Sequence, residues 1–170
     1  VNNLLKRMMK MFAIDKYGNA VFPEGVEQID SDAFYNNKEL RVAVIPDTVK
    51  KIGSCAFFGC ENLEKLVLPE GLESIEKQAF ENCNKLKSFV MPDSVIKIDE
   101  CAFKYIKLDE PVYNRDKSIL YVYADTNRKE RIVLPNTVKR IFSGAYTENT
   151  FEEIVLHEGI EQIDSNAFLN

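Results

Sequence analysis

The chain has 170 residues, enough for one domain or two very small ones. Its hydrophobic fraction of 45% and charged fraction of 29% are ordinary for a soluble globular protein and exclude a disordered chain. With a net charge of −5 the chain lacks the overall basic surface that nucleic-acid binding requires, and no stretch approaches the ~20 uncharged apolar residues of a membrane span.

The first segment, 1–16, is predicted to be a helix that caps the end of the fold. Its apolar residues recur at three- and four-residue spacing, the pattern of an amphipathic helix: Leu4, Leu5, Met8, Met9 and Phe12. Asn2 or Asn3 is a suitable N-cap. Lys6, Arg7 and Lys10 interrupt the apolar run and no small-residue cleavage site follows, which disfavours a signal peptide. A basic membrane-surface helix is the remaining alternative.

The next feature is a repeat that begins with a proline every 23 residues. Pro23, Pro46, Pro69 and Pro92 share this spacing, and Pro135 and His157 begin two further units. An isoleucine follows each start by six residues: Ile29, Ile52, Ile75, Ile98, Ile141 and Ile163. An Ala-aromatic pair begins ten residues after each start, from Ala33-Phe34 to Ala167-Phe168. The frame therefore predicts repeats 1–4 over 17–108 and repeats 5–6 over 131–170, the last one incomplete.

One such unit holds too few apolar residues to bury a face by itself, whereas stacked units bury a continuous ladder. The residues before each proline, such as 65–68, favour a short strand that the proline ends, because proline has no N–H to donate. A turn and a second short strand with the isoleucine follow. The Ala-aromatic segment is predicted to turn back as a short helix or 3₁₀ turn. All 170 residues are expected to form one solenoid domain.

The run IPDTVKKIGSCAFFGCENLEKLVLPEGLESIEKQAFENCNKL, residues 45–86, resembles the BspA-like leucine-rich repeats. That family comprises surface and secreted proteins of bacteria and some protozoa, and the resemblance covers 17–170. It implies an α/β leucine-rich-repeat solenoid with parallel strands. It also implies a role in binding or adhesion at the cell surface, with no indication of the partner.

The frame breaks at 109–130, because Pro135 follows Pro92 by 43 residues where two units would take 46. A hairpin is predicted here, in which Val112-Tyr113 pairs with 119–123 around a polar turn. The resemblance to the BspA-like repeats implies the same, because that family commonly carries such an insertion. Four of the seven tyrosines lie in or beside it: Tyr105, Tyr113, Tyr121 and Tyr123. Tyrosines on a protruding element suit contact with a protein or a sugar. Packing against the flank of the solenoid is the commoner outcome.

The residue two positions before each unit's start is always valine: Val21, Val44, Val67, Val90, Val133 and Val155. Strands alternate faces, so if Leu66 and Leu68 face inward then Val67 faces outward. A row of exposed valines favours an interaction surface, although strand propensity and repeat duplication also account for it. The candidate partner-binding residues are Val44, Val67, Val90, Val133, Tyr113, Tyr121 and Tyr123.

Four cysteines occupy two positions of the frame. Cys60 and Cys83 share a position in adjacent units and can approach bridging distance, although small buried side chains are the favoured interpretation. Cys55 and Cys101 share another position two units apart, about 10 Å and beyond the reach of a disulfide. No Cys-x-x-Cys spacing is present, so no zinc site is predicted.

The position after each start is acidic in five units, at Glu24, Asp47, Glu70, Asp93 and Glu158, with Asn136 in the remaining one. Such a row can bind calcium weakly or steer a basic partner, but acids are also usual in exposed turns. Basic residues four and five positions after the start form a stripe that is interpreted as a solvated face: Lys50, Lys51, Lys97, Lys139 and Arg140. His157, the only histidine, is interpreted as structural.

No catalytic, cofactor or metal motif is recognisable, so a non-enzymatic module that binds a protein or glycan is the leading hypothesis. The alternative is a structural spacer of a larger surface protein, which fits a last unit without its closing leucine. The resemblance implies the cell surface or secretion. The lack of a signal peptide and four apparently unpaired cysteines fit a reducing, cytoplasmic compartment equally well.

Overall fold

The computed structural model describes residues 12–99, 101–123, 131–146 and 152–168. These residues form a β-solenoid in which short parallel strands stack from one coil to the next. The strands are β1 (Ala13–Ile14), β2 (Ala20–Val21), β3 (Gln28–Ile29), β4 (Val42–Val44), β5 (Lys51–Ile52), β6 (Lys65–Val67), β7 (Ser74–Ile75), β8 (Lys97–Ile98), β9 (Val112–Tyr113), β10 (Ile119–Val122), β11 (Arg131–Val133), β12 (Arg140–Ile141), β13 (Glu153–Val155) and β14 (Gln162–Ile163).

Most coils contribute one strand before the proline position and one after it, in different sheets, whereas the coil of Pro92 has a strand only after its proline. The strands before the proline pair as β4–β6 and β11–β13, and those after it as β3–β5–β7–β8. The register of the latter places Ile29, Ile52, Ile75 and Ile98 side by side. A shift of 23 residues along the chain therefore brings the same repeat position onto the neighbouring strand.

The helix predicted over 1–16 is wrong within the described residues, where the chain forms a β-hairpin. β1 pairs antiparallel with β2. A turn at Asp15 reverses the chain, because its carboxylate accepts hydrogen bonds from the N–H of Tyr17 at 2.8 Å and of Asn19 at 2.9 Å. This local turn chemistry overrides the helical spacing of the apolar residues. Residues 1–11, which carry most of that pattern, lie outside the described residues.

The Ala-aromatic segments are also not helical, since the described residues contain no α-helix or 3₁₀-helix. Successive backbone N–H groups of these segments donate alternately to a carbonyl of the next coil and to a carbonyl of their own coil. Phe57 donates across to Ala79 of the next coil at 2.8 Å, whereas Phe58 donates back to Cys55 at 3.0 Å. Cys55 and Gly59 have positive φ angles of 55° and 67°, and a helix cannot continue through such residues. The stacking of coils thus replaces the predicted helical hydrogen bonds.

A ladder of stacked aromatic rings runs through the core at the Ala-aromatic position. Ring centroids lie 5.1 Å apart between Phe34 and Phe57, and 5.0 Å apart between Phe57 and Phe80. The spacing is 5.3 Å from Phe80 to Phe103. These separations match the ~4.8 Å between neighbouring strands, so ring stacking and strand pairing have the same periodicity.

Within the described residues, the segment that breaks the frame, 109–123, forms the predicted antiparallel hairpin, and this hairpin is built into the solenoid as a shortened coil. β9 and β10 pair antiparallel, and β10 also pairs in parallel with β12 of the next coil. The N–H of Met91 donates to the carbonyl of Tyr113, as that of Ile45 does to Val67. Tyr113 therefore takes the place of the repeat's valine, and Arg115, 23 residues after Pro92, takes the place of the proline. Residues 124–130 lie outside the described part of the chain.

The two other tyrosines of this coil pack into the solenoid, Tyr121 within the core and Tyr123 half-buried against it. Tyr121 is only 1% exposed, packs against the tilted ring of Phe142 with 4.9 Å between centroids, and directs its hydroxyl to the carbonyl of Val95 at 3.4 Å. The ring of Tyr123 stacks on Tyr146 at 4.9 Å and continues the aromatic ladder. Of the two alternatives left open for them, packing into the solenoid is the one that the structure shows.

All four cysteines are free, and Cys60 and Cys83 lie in the buried core. Their thiols donate to the carbonyls of Phe34 at 3.0 Å and Phe57 at 3.3 Å, each in the preceding coil. Burial raises the pKa of Cys60 to about 11 and that of Cys83 further. The interpretation as small buried side chains is confirmed.

Replacement of Ile75 by alanine tests the stacked core. Ile75 is fully buried between two neighbouring strands, so Ile75→Ala should lower the free energy of unfolding by about 2–5 kcal/mol. The matched control is Ile163→Ala, at the same repeat position but 44% exposed, which should cost less than about half as much. Urea unfolding curves that shift equally for both variants would contradict the stacked ladder.

Replacement of Tyr121 by alanine tests whether the shortened coil is part of the core. Tyr121→Ala should cost about 3–5 kcal/mol, because it empties a buried aromatic site. Tyr105→Ala, where the ring is 55% exposed beneath the Lys104 ammonium, should cost less than about 1 kcal/mol. Thermal unfolding of the two variants measures this difference, and a Tyr121→Ala protein as stable as the wild type would show the coil to be peripheral.

Thiol reactivity tests the state of the cysteines. Four thiols should react after denaturation without reductant. In the native protein at pH 8, Cys60 and Cys83 should react far more slowly than Cys55, because both lie in the buried core whereas Cys55 is only half-buried. Burial raises the pKa of all three thiols, that of Cys60 to about 11 and that of Cys83 further, and only the thiolate is nucleophilic. Peptide mapping after alkylation identifies each site. A total of two reactive thiols in the denatured protein would indicate a disulfide instead.

Candidate partner-binding face

The six valines form a row across the coils, which we call the valine row: Val21, Val44, Val67, Val90, Val133 and Val155. Val44 lies directly beside Val67, and Val133 beside Val155, in the registers of their strand pairs. Exposure of the side chains ranges from 40% at Val67 to 65% at Val133, and Val155 is half-buried. The sequence-based prediction that the valines face outward is confirmed.

Strand alternation is the reason for this exposure. In β6 and the residue after it, Leu66 and Leu68 are buried in the core, so Val67 between them must face the opposite way. The same alternation operates in β4, where Ala43 and Ile45 are buried on either side of Val44. The core requirement of each coil therefore places one apolar side chain on the outer face.

Of the three tyrosines predicted to bind a partner, only Tyr113 lies in the valine row. It is half-buried, and burial raises the pKa of its hydroxyl to about 12. Lys117 sits over its ring at 6.0 Å. Tyr121 is a core residue and the prediction that it contacts a partner is wrong. Tyr123 is partly buried in the aromatic ladder, away from the row.

A row of exposed acids lies three residues beyond the valines, at the turn that follows each coil's start. We call it the acidic row, and it comprises Glu24, Asp47, Glu70, Asp93, Asp116 and Glu158, with Asn136 as the neutral member. Asp116 was missed by the sequence reasoning. Counting 23 residues from Asp93 would have found it, but the departure of 109–130 from the proline and isoleucine pattern obscured the frame.

Arg115 reaches into the acidic row from within the chain. Its guanidinium lies 2.6 Å from the carboxylate of Glu70, two coils away. Both side chains are largely exposed, so this pair contributes little to stability. It shows, however, that the row can engage a guanidinium group.

The basic stripe differs from the acidic row because most of its members already have partners. Lys51 bonds to Glu76, Lys139 lies 3.0 Å from Glu161, and Lys97 lies 3.0 Å from Asp99. Arg140 contacts Asp164 through Nη2 at 2.8 Å and Nε at 3.1 Å. The hydrogen bond from Lys51 lowers the pKa of Glu76. These pairs join each coil to its neighbour or lie within one coil, which fits a solvated structural face.

The remaining candidates are the single histidine, His157, and clusters of side chains that could bind a metal ion. His157 takes the proline's place in its turn, and its Nδ1 accepts a hydrogen bond from the N–H of Gly159 at 3.1 Å. Within the described ranges no three His, Cys, Asp or Glu side chains converge as metal ligands would. The same ranges contain no helix with the length and apolar character needed to cross a membrane.

Structural comparison places the same fold in bacterial proteins. The pneumococcal vaccine antigen PcpA matches 90% of this chain with a TM-score of 0.59 at 20% identity, and a leucine-rich repeat protein of Bacteroides ovatus matches 89% with 0.51 at 18%. The chain spans about half of each, 50% and 53%. A leucine-rich repeat protein of Bacteroides capillosus is 33% identical over 61% of this chain and 72% of its own, with a TM-score of 0.49.

A comparison with curated protein sequences gave no match. The family model described as "BspA type Leucine rich repeat region" matches six copies over residues 8–128 and 120–170. These residues include the prolines, the buried isoleucines and the aromatic ladder of the solenoid as well as the valine row. The chain therefore belongs to the BspA-type leucine-rich repeat family.

Proposed function

We propose that this protein is a non-enzymatic binding module that engages a protein partner through the valine row and Tyr113. The observation that carries the proposal is the run of half-exposed valines across neighbouring coils. Isolated apolar residues on a surface are normal, whereas an aligned apolar row usually marks an interaction surface. Membership of a repeat family that is generally non-catalytic supports the absence of an enzymatic role.

The energy available from this face is moderate. Covering the exposed half of one valine contributes roughly 0.7 kcal/mol, so four valines together contribute about 3 kcal/mol. That corresponds to about 100-fold in affinity. The rest of the affinity must come from larger side chains of the partner and from the ring of Tyr113, because tyrosines commonly dominate interface energetics. A protein segment with apolar side chains fits this face better than a glycan, whose surface is mostly polar.

A structural spacer is the second candidate, and the regular stacking of coils favours it. Ion pairs between neighbouring coils, such as Lys38–Glu61 at 2.7 Å and Arg131–Glu153 at 2.9 Å, accompany the continuous core. A solenoid stacked in this way is stiff along its axis, since each coil contacts only its neighbours over a large apolar area. In this reading the valines are a consequence of strand propensity.

A binding assay of the chain with immobilised host matrix proteins distinguishes a binding module from a structural spacer. If the chain is a binding module, at least one protein should bind saturably at micromolar concentration, and Val67→Lys/Val90→Lys should weaken that binding by about 10-fold or more. The control Tyr35→Lys/Ile96→Lys adds the same charge at two exposed apolar positions outside the row and should bind within about two-fold of the wild type.

Circular dichroism must first show the wild-type fold for both variants. Saturable binding that both variants retain would exclude the valine row as the contact surface. A complete lack of saturable binding would favour the spacer.

A further inference from the structure

We propose that the segment which the valine row accepts is an extended cationic polypeptide segment, whose lysines or arginines pair with the acidic row. This inference rests on the proposed function and adds the chemistry of the partner. Apolar side chains of the segment lie on the valines, and cationic side chains reach the acids along one edge of the face. The argument depends on the position of the two rows, on their charges and on the contact made by Arg115.

The two rows run together along the solenoid. Within one coil the valine is followed by one residue that faces the core, then by the proline and directly by the acid, as in Val67, Leu68, Pro69 and Glu70. In the paired strands, neighbouring valines lie side by side about one strand spacing of ~4.8 Å apart, as at Val44 and Val67 and at Val133 and Val155, and the acid position follows three residues later in each coil. A ligand that covers the valines therefore has a carboxylate position along one border of its contact in every coil except that of Val133, where Asn136 is neutral.

The charges of the acidic row are available to such a ligand. In the described parts of the chain, Glu24, Asp47, Asp93 and Glu158 form no ion pair. All four side chains are exposed. By contrast, acids elsewhere on the solenoid, such as Glu61 and Glu76, pair with a lysine of the preceding coil. These exposed carboxylates contribute negative potential beside the valine row, which favours a positively charged partner.

Arg115 supplies an internal example of the proposed contact. It occupies the proline position of the shortened coil, and its guanidinium bonds to Glu70 across the intervening coil at 2.6 Å. A guanidinium whose backbone lies at the border of the acidic row therefore reaches a carboxylate of that row. We infer that cationic side chains of a bound segment pair in the same way with Asp47 and Asp93, on either side of Glu70.

The opposite border of the valine row has no comparable charge. Lys65 and Ser88 are exposed there, and Arg131 pairs with Glu153 at 2.9 Å. This border is mixed in sign, so the electrostatic preference comes from the acidic row alone. An acidic segment would meet that row with like charges, which opposes its binding.

The test uses three synthetic peptides of about eight residues with blocked ends, which span about 26 Å when extended, or about five strand spacings. One alternates valine with lysine, one alternates valine with glutamate, and one alternates serine with lysine. Isothermal titration of the whole chain should show saturable binding only for the valine–lysine peptide. Its affinity should fall as sodium chloride rises from about 0.05 to about 0.5 M, because exposed ion pairs are screened.

Two variants with matched charge identify the site. Asp47→Asn/Asp93→Asn removes two acids of the row and should weaken binding of the valine–lysine peptide roughly 2- to 30-fold, the range for two exposed ion pairs. The control Asp30→Asn/Glu39→Gln removes two exposed acids outside the row and should stay within about two-fold. Equal weakening by both variants would mean a general charge effect and would overturn the proposal.

The inference and the proposed function fail in different ways. If Val67→Lys/Val90→Lys abolishes binding of a matrix protein but Asp47→Asn/Asp93→Asn leaves it unchanged, the valine face binds and the cationic inference is wrong. If the valine–glutamate peptide binds as well as the valine–lysine peptide, the inference is likewise overturned. Failure of the valine variant to affect any ligand overturns both.

Discussion

Stacking of one coil on the next in strict register is the constraint on which the rest of the structure depends. A single coil has a few apolar side chains and strands of two to four residues, neither of which is stable alone. Parallel pairing at a shift of 23 residues in the first coils, and of 21 or 22 in the last ones, satisfies the backbone hydrogen bonds of the strands, aligns the isoleucines and stacks the aromatic rings about 5 Å apart. Hydrogen bonds, apolar burial and ring contacts all share the strand spacing, so each reinforces the others.

The same register generates the outer surface. The core needs a leucine on both sides of Val67, and the pleat of the strand then directs the valine outward. The turn after Pro69 needs a polar residue, and that residue is an acid in most coils. A structural requirement repeated in each coil thus becomes a row, and two adjacent rows of different chemistry become a surface with a preferred type of ligand.

The shortened coil shows how far the register tolerates change. It lacks the proline, the isoleucine and the alanine of the frame, and it connects its two strands as an antiparallel hairpin. Yet Leu120 aligns with Ile141, and Tyr123 stacks on Tyr146. Burial of an apolar side chain at these positions suffices to continue the core, and the identity of the residue matters less. The outer rows continue with it, as Tyr113 and Asp116.

The repeat and its exposed valines were predictable from the sequence because both follow from short-range rules. A fixed period implies stacking, and alternation about Leu66 and Leu68 implies that Val67 faces outward. The N-terminal hairpin was harder to predict from the sequence, because the turn at Asp15 competes with a helical pattern of apolar residues in the same segment. The predicted helical turns also failed, because the N–H of Phe57 finds its acceptor in the next coil and not in its own.

The sequence by itself determined the period, the core positions and the outward valines, since these depend only on the order of residues within one coil. Tertiary structure decided whether Tyr121 faces a partner or the core, and whether Arg115 and Asp116 join the rows of the other coils. The physical reason is that both questions concern the alignment of an irregular segment on its neighbours. That alignment is set by contacts such as Met91 with Tyr113 and Tyr121 with Val95, which join residues more than 20 positions apart.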